Sequence, residues 1–367
     1  MKYKELTTPA LLIDEDVLLK NLKRMQDFAN KKKVNLRPHT KTHKMPYIAK
    51  LQTDIGANGI AVAKTGEAKT MYDEGFDNIL IANEIVSKEK LEAIKKMNED
   101  RTVLFGVDSI DALKIILEVF DKTNPAKVLV EIEVGENRSG VIEKKDFIEL
   151  IKFMSFTDKI QYKGVFSHDG NSYSAKDLNE LENIHLNSQK RTLEFVNLAK
   201  NIGFNSEIVS IGSTPPMICE MDILEGITEI RPGTYALMDA SQSNVIGNYD
   251  QVAATVLATV ISKPTAERTI LDVGAKGITM QSRKTGITNS NGMGKILEYP
   301  DVFIDKVYDE HAIIYNREFR DKVKIGEKVR IIVAHICPTV NLYDKAHFIK
   351  ADEIIYTKDI SARGKLW

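Results

Sequence analysis

VLFGVDSIDALKIILEVFDKTNPAKVLVEIEV, residues 103–134, holds two short apolar runs, Val103–Asp108 and Val128–Val134, on either side of a helical pattern at Ala112–Phe120. Apolar runs of about four to eight residues fit buried strands, and a helix joining two of them makes a βαβ unit of a parallel sheet. The same alternation extends in both directions. Towards the N-terminus the candidate strands lie near Leu36-Arg37, Gly59–Val62 and Ile79–Ala82, and towards the C-terminus near Tyr162–His168, Ile208–Gly212 and Ile227–Gly233. Asp14-Glu15-Asp16 gives a helix-capping signal ahead of Leu18, Leu22, Met25 and Phe28, which share one helix face. Leu91-Glu92-Ala93-Ile94 and Phe147–Met154 repeat that pattern. Eight such units over roughly 220 residues suit a (β/α)8 barrel. A doubly wound open sheet is the alternative, because strand order is not written in a single sequence.

From about Asn248 the texture changes. Val252–Ile261, Thr269–Val273, Val302–Val307 and Val329–Ile336 read as strands separated by Gly, Pro and polar turns, with no long helix between them. The expected fold class is therefore α/β: a (β/α)8 TIM-type barrel over residues 16–245 and a second, smaller C-terminal β domain over 246–367. The β domain borrows an N-terminal strand within residues 1–15.

At 367 residues the chain is long enough for two domains of about 150 residues each. With 51 basic and 52 acidic residues, its net charge of -1 gives no chain-wide attraction to nucleic acid or an anionic membrane surface. The dense basic run Lys31-Lys32-Lys33 reads as a solvated helix end. No segment approaches the ~18 uninterrupted apolar residues of a membrane span, and no apolar signal core follows Met1–Glu5. Two cysteines, Cys219 and Cys337, make no disulfide framework, so reduced thiols and a cytoplasmic location are expected.

Barrel active sites lie at the C-terminal ends of the strands. After the first comes Arg37-Pro38-His39-Thr40-Lys41-Thr42-His43-Lys44. A lysine among cations, or desolvated, loses proton affinity and can act as an amine nucleophile; a solvated basic turn is the alternative. After the fifth comes Glu133-Val134-Gly135-Glu136-Asn137-Arg138-Ser139-Gly140, in which an arginine suited to an anionic oxygen sits between glycines. Ser167-His168-Asp169-Gly170-Asn171-Ser172-Tyr173 is an unusually polar sequel to Gly164-Val165-Phe166. Gly212-Ser213-Thr214-Pro215 suits a phosphate cradle without being a Walker loop, and the eighth strand ends in Glu229-Ile230-Arg231-Pro232-Gly233-Thr234-Tyr235. In the β domain His335-Ile336-Cys337 ends an apolar strand, so imidazole and thiolate would share one side and suit Zn²⁺, unless both are simply packed. Asp309-Glu310-His311 reads as a surface turn, and Cys219, His185 and His347 have no evident partner.

Taken together these motifs resemble the D-threonine aldolase/D-serine dehydratase family, pyridoxal-phosphate enzymes of the alanine-racemase-like barrel type. The resemblance runs in order from Arg37–Lys44 through Glu133, Gly135 and Arg138, Gly170–Tyr173, Gly212–Pro215 and Arg231–Gly233 to His335–Leu342. It departs from the family pattern at Asn171, often histidine, and at Glu133, usually aspartate. The resemblance implies that Lys41 binds the cofactor covalently and that Arg138 lies near its phenolic oxygen. It implies further that Tyr173 contacts it, Gly212, Ser213 and Thr214 take its phosphate, and Arg231 faces its pyridine nitrogen. His39 and Tyr235 fall in the same cofactor-binding set. His335 and Cys337 match the metal pair, zinc in the dehydratases and Mn²⁺ or Mg²⁺ in the aldolases. The implied activity is that of a lyase on β-hydroxy-D-amino acids. A D-serine dehydratase-like reaction is preferred for the thiolate ligand, with a D-threonine aldolase-like cleavage and an amino-acid racemase as alternatives. A homodimer is implied by the same analogy.

Overall fold

A computed structural model describes every residue from Met1 to Trp367. Strand β1 (Ala10–Asp14) leads into the helix Glu15–Lys32, and the Asp14 carboxylate caps it by accepting from the Val17 N–H at 3.0 Å. That helix buries Leu18, Leu22, Met25 and Phe28, the face that the spacing picked out.

Eight parallel strands follow: β2 (Asn35–Leu36), β3 (Ile60–Val62), β4 (Ile79–Glu84), β5 (Val103–Val107), β6 (Ala126–Ile132), β7 (Ile160–Ser167), β8 (Ile208–Ile211) and β9 (Glu229–Ile230). Their order is β2-β9-β8-β7-β6-β5-β4-β3. The ring closes where His39, just past β2, bridges Ala61 of β3 and the Ala61 N–H donates to the Pro38 carbonyl at 2.9 Å. This is the (β/α)8 barrel, not the open sheet. Alternation sorts the side chains. Ala61, Leu80, Leu104, Leu129 and Phe166 fill the interior, while Ile60, Val62, Ile79, Ile81, Val103 and Phe105 belong to the large core that includes Leu91, Leu113 and Ile116 of the outer helices. Gly106 points inward, and a Cβ there would come within 2.9 Å of Phe166 Cζ, so the ring fits because the side chain is missing. The ends of the barrel's strand ladder are short: β2 stops before Pro38, and β9 holds two residues where Ile227–Gly233 were expected, Pro232 being unable to donate to a ladder.

The C-terminal sheet contains β10 (Ala254–Ser262), β11 (Arg268–Leu271), β12 (Gly294–Ile296), β13 (Tyr299–Phe303), β14 (Lys306–Val307), β15 (Ala312–Tyr315), β16 (Lys328–Val333), β17 (Lys345–Lys350) and β18 (Glu353–Asp359). β1 lies between β10 and β17 in it. The single strand expected at Val302–Val307 is two, and the one expected at Val329–Ile336 ends at Val333. The latter difference moves the His335/Cys337 pair. His335 caps a short helix, Ile336–Val340, and Cys337 sits in that helix, so the pair is not on one strand face. Pro338 accounts for the break, since it fits the first turn of a helix and cannot extend a ladder. No helix of the molecule is long and apolar enough to cross a membrane.

Candidate active site

At the C-terminal ends of the barrel strands a cavity is lined by His39, Lys41, Arg138, His168, Tyr173, Gly212, Ser213, Thr214 and Arg231, together with Glu131, Gly233 and Thr234. Eight of the nine residues assigned to the cofactor from the sequence therefore meet in one place. The ninth, Tyr235, does not. It is buried, its hydroxyl accepts from Gln52 Nε2 at 2.9 Å, and it borders a separate small pocket shared with Met25 and Phe28.

The basic turn resolves into distinct jobs. Arg37 is buried in an ion pair with Glu229 (2.8 Å) and donates to the Asn78 carbonyl at 2.6 Å, which ties β2 to its neighbours. Lys44 is buried against Glu67 in a second ion pair, and Glu67 also accepts from the Ala63 N–H. His43 accepts from the Met45 N–H at 3.1 Å and contacts Gln52; burial holds its pKa down to about 4. Lys41 alone keeps its amine on the cavity. Burial lowers its proton affinity, Arg138 and Arg231 lower it further, and the Cys337 and Glu67 charges oppose them. His39 and His168 are likewise held neutral by burial and by the Lys41 charge, with His168 at about 3. His168 Nδ1 lies 2.5 Å from the Gly212 carbonyl.

The cradle is built from backbone. Gly212 has φ of +151°, and a Cβ there would come within 2.9 Å of the Arg231 N, so a side chain would close the gap between β8 and β9. The N–H groups of Gly212 and Ser213 donate to no group of the chain. Thr214 Oγ1 accepts from the Gly233 and Thr234 N–H groups at 3.3 and 3.2 Å, and the Thr214 N–H donates to the Tyr173 hydroxyl at 3.4 Å. Ser213 and Ser172 are joined through their hydroxyls at 2.9 Å. Arg231 donates to the Ser167 carbonyl at 2.7 Å and lies over Phe166, while its Nη1 is buried with no partner. Burial brings its pKa to about 10, so it stays a cation at neutral pH.

These features test the site for pyridoxal phosphate. An orphaned guanidinium nitrogen, free backbone N–H groups at a glycine step and a desolvated lysine amine are the donors and nucleophile that its ring, phosphate and aldehyde require. The residues fit the cofactor.

The two residues expected to hold a metal, His335 and Cys337, lie close to the same mouth. Cys337 Sγ is 3.3 Å from Thr42 Oγ1, next to Lys41 in the chain, and 3.6 Å from Oγ1 of the cavity residue Thr234. His335 Nδ1 is buried without a partner. Burial lowers its proton affinity, with the Asp239 carboxylate opposing and Arg283 and Lys41 adding. No cluster of three or more His, Cys, Asp or Glu side chains has metal-binding spacing. An ion on His335 and Cys337 would thus keep positions for water or substrate, as catalytic sites do. An imidazole/thiolate donor set suits a borderline-soft ion.

Two acids were overlooked in the sequence, although both sit where barrel sites are found. Glu131 near the end of β6 accepts from Ser139 at 2.8 Å and lies 3.6 Å from Arg138. Glu84 at the end of β4 is pushed up to about 9, first by burial and then by Glu131 and Asp108. Glu84 is therefore a neutral acid at pH 7. The unfolded chain releases this proton near pH 4.5 and the folded chain near 9, so the folded state binds more protons between those values and loses stability as pH rises through them. Urea unfolding of the wild type should show that decline, at most about 1.4 kcal/mol per pH unit, and Glu84→Gln should flatten it.

Residues 13–241 match the family described as alanine racemase, N-terminal domain. The chain belongs to the alanine racemase N-terminal domain family. A serine dehydratase domain matches the alanine-racemase-like chain further on, over residues 253–349. The D-threonine aldolase of Arthrobacter sp. is 28% identical over 364 residues, covering 97% of this chain and 93% of that protein. The D-serine dehydratase of Dictyostelium discoideum is 29% identical over 382 residues, covering 95% of each. The structure of D-threo-3-hydroxyaspartate dehydratase from Delftia sp. HT23 superposes with a TM-score of 0.89 at 26% identity, covering 98% of both chains. A cysteine-to-alanine mutant of a D-threo-3-hydroxyaspartate dehydratase, described as the metal-free form, matches with a TM-score of 0.89 at 25% identity and the same coverage. The resemblance read from the motifs is thus a family relationship along nearly the whole alanine-racemase-like chain, and this family implies pyridoxal phosphate. Its named relatives here are aldolases and dehydratases of D-amino acids.

Proposed function

We propose that this chain is a pyridoxal-phosphate- and metal-dependent lyase acting on β-hydroxy-D-amino acids, of the D-serine dehydratase type, releasing a 2-oxo acid and ammonia. The observation that carries the reading is the convergence of Lys41 with Cys337 and His335 at one barrel mouth. The Cys337 charge raises the proton affinity of Lys41, and Thr42, next to Lys41 in the chain, lies 3.3 Å from the Cys337 Sγ. A relative whose metal-free form is that of a cysteine-to-alanine mutant supports a thiolate ligand.

Lys41 would hold the cofactor, Gly212, Ser213 and Thr214 would take its phosphate, Arg231 would face its ring nitrogen and Arg138 its phenolic oxygen. Bound there, pyridoxal phosphate supplies an electron sink for negative charge developing at the substrate Cα. An ion on His335 and Cys337, zinc by preference, would polarise the β-hydroxyl as a Lewis acid. The chain's own contributions follow from its geometry. Burial leaves the Lys41 amine readier to lose its proton at neutral pH, so it can bind a carbonyl and afterwards take a proton from Cα. Tyr173, pushed up to about 12 by burial, stays protonated and fixes the Thr214 turn by accepting its N–H. Arg231 remains a cation, which keeps a proton off the ring nitrogen facing it.

The aldolase reading uses the same parts and is favoured by the Arthrobacter relative. An assay on D-serine and D-threonine, with chelator and then with added zinc, separates them. Chelator-sensitive 2-oxo acid is the expected product; glycine plus aldehyde would make the chain an aldolase. Inversion at Cα with neither product would overturn the lyase reading in favour of a racemase. A cytoplasmic homodimer completes the proposal, the two cysteines being unpaired thiols.

A further inference from the structure

The loop between the helix Ala275–Ile278 and β12 reaches from the β domain onto the barrel mouth. It is anchored at several points. Thr288 Oγ1 donates to the Tyr173 carbonyl, the Ile287 N–H donates to the Ala175 carbonyl at 2.7 Å, and Asn244 Nδ2 donates to the Asn289 carbonyl at 2.5 Å. Gly286, at φ of +67°, is pressed so close that a Cβ would come within 2.4 Å of the Ala175 carbonyl oxygen. The Ser290 N–H and hydroxyl both donate to the Arg283 carbonyl, at 3.0 and 3.4 Å, which fixes the start of the loop to its end.

What this scaffold presents is the Arg283 guanidinium. It lies 3.8 Å above the centroid of the Tyr173 ring, a wall of the cavity. Its Nε is buried and bonded to nothing. Arg37 faces Glu229 and Arg138 faces Glu131 and Glu136, but no carboxylate of the chain lies within ion-pair distance of Arg283. Stacking on an aromatic face holds a guanidinium flat and leaves its edge free for planar, bidentate pairing with a carboxylate.

We infer that Arg283 is the residue that recognises a carboxylate of the substrate, delivered to the Lys41 cavity by the β domain. The inference rests on the lyase reading for its substrate, a β-hydroxy-D-amino acid. The carboxylate has two sources: the one on Cα that every amino acid carries, or a second one on Cβ, as in 3-hydroxyaspartate.

The test compares wild type, Arg283→Gln and Arg283→Lys, each loaded with cofactor and metal, on D-serine and on D-threo-3-hydroxyaspartate. Arg283→Gln is expected to raise KM roughly 10- to 100-fold with kcat changed less than about threefold, and Arg283→Lys to restore part of the loss. A rise for both substrates assigns the Cα carboxylate; a rise for hydroxyaspartate alone assigns the Cβ carboxylate. Unchanged KM for both, or an equal fall in kcat for both with KM unmoved, overturns the inference. A second readout does not depend on turnover: malonate should raise the melting temperature of wild type and not that of Arg283→Gln. Equal stabilisation of the two proteins overturns the carboxylate site even if the lyase reading holds. Stabilisation confined to wild type supports the site even where no D-amino acid is turned over, an outcome that would sink the lyase reading alone.

Discussion

Lys41→Ala is expected to lower turnover of every accepted D-amino acid by at least ~10³-fold and to abolish the visible absorbance that the cofactor-loaded wild type keeps after dialysis. The size follows from the absence of a substitute. Lys44, three residues on, is locked in a buried ion pair with Glu67, and moving its amine to the cavity would strand the Glu67 carboxylate without its partner. His39 and His168 line the same cavity but bind no aldehyde stably. The expected loss is measured by product formation alongside the absorbance of the dialysed protein. The Gly212–Thr214 cradle and Arg231 are untouched by the change, so pyridoxal phosphate should still bind, now removable by dialysis. Normal absorbance with covalently retained cofactor in Lys41→Ala would reject Lys41 as the attachment site.

Cys337→Ala should lower lyase activity about 10²- to 10³-fold while leaving the absorbance of the bound cofactor in place. Thiolate removal takes away one of the two proposed protein donors, and a single remaining imidazole is a poor anchor for an ion. Chelation of the wild type should reproduce the defect, and added zinc should reverse it in the wild type and not in the variant. The separation between retained colour and lost activity distinguishes this effect from misfolding of the cavity wall, because Cys337 touches Thr42, next to Lys41 in the chain, and the cavity residue Thr234. Full lyase activity in Cys337→Ala would reject Cys337 as a metal ligand.

Much of the barrel was readable because each strand carries its own signal. Val103–Val107 is β-branched and aromatic, and Asp14 caps a helix whose apolar face recurs at helical spacing; both are local properties that folding does not need to supply. In the β domain the signal fails where strands are short, polar or at an edge. Glu353–Asp359 alternates exposed and half-buried positions, and Gly294–Ile296 is held by pairing to β16 and β13 rather than by its own composition. The His335–Cys337 segment misled for a related reason. An apolar run does not announce its last residue, and a helix fitted to Pro338 begins three positions after the strand ends.

The sequence by itself determined which residue types stand at the ends of which barrel strands: a lysine in a basic turn, a glycine-serine-threonine step and an arginine before a proline, with a histidine and a cysteine two apart in the β domain. Those are covalent facts of order and spacing. Tertiary structure decided which of two lysines faces the cavity, because only packing could bury Glu67 against Lys44. It removed Tyr235 from the site, burying it beside a separate pocket shared with Met25 and Phe28. It also brought Glu84 beside Glu131, and Arg283 onto Tyr173, from residues far apart in the chain. Proton affinity and partnership depend on distance and desolvation, and neither quantity exists until the strands have closed into a ring.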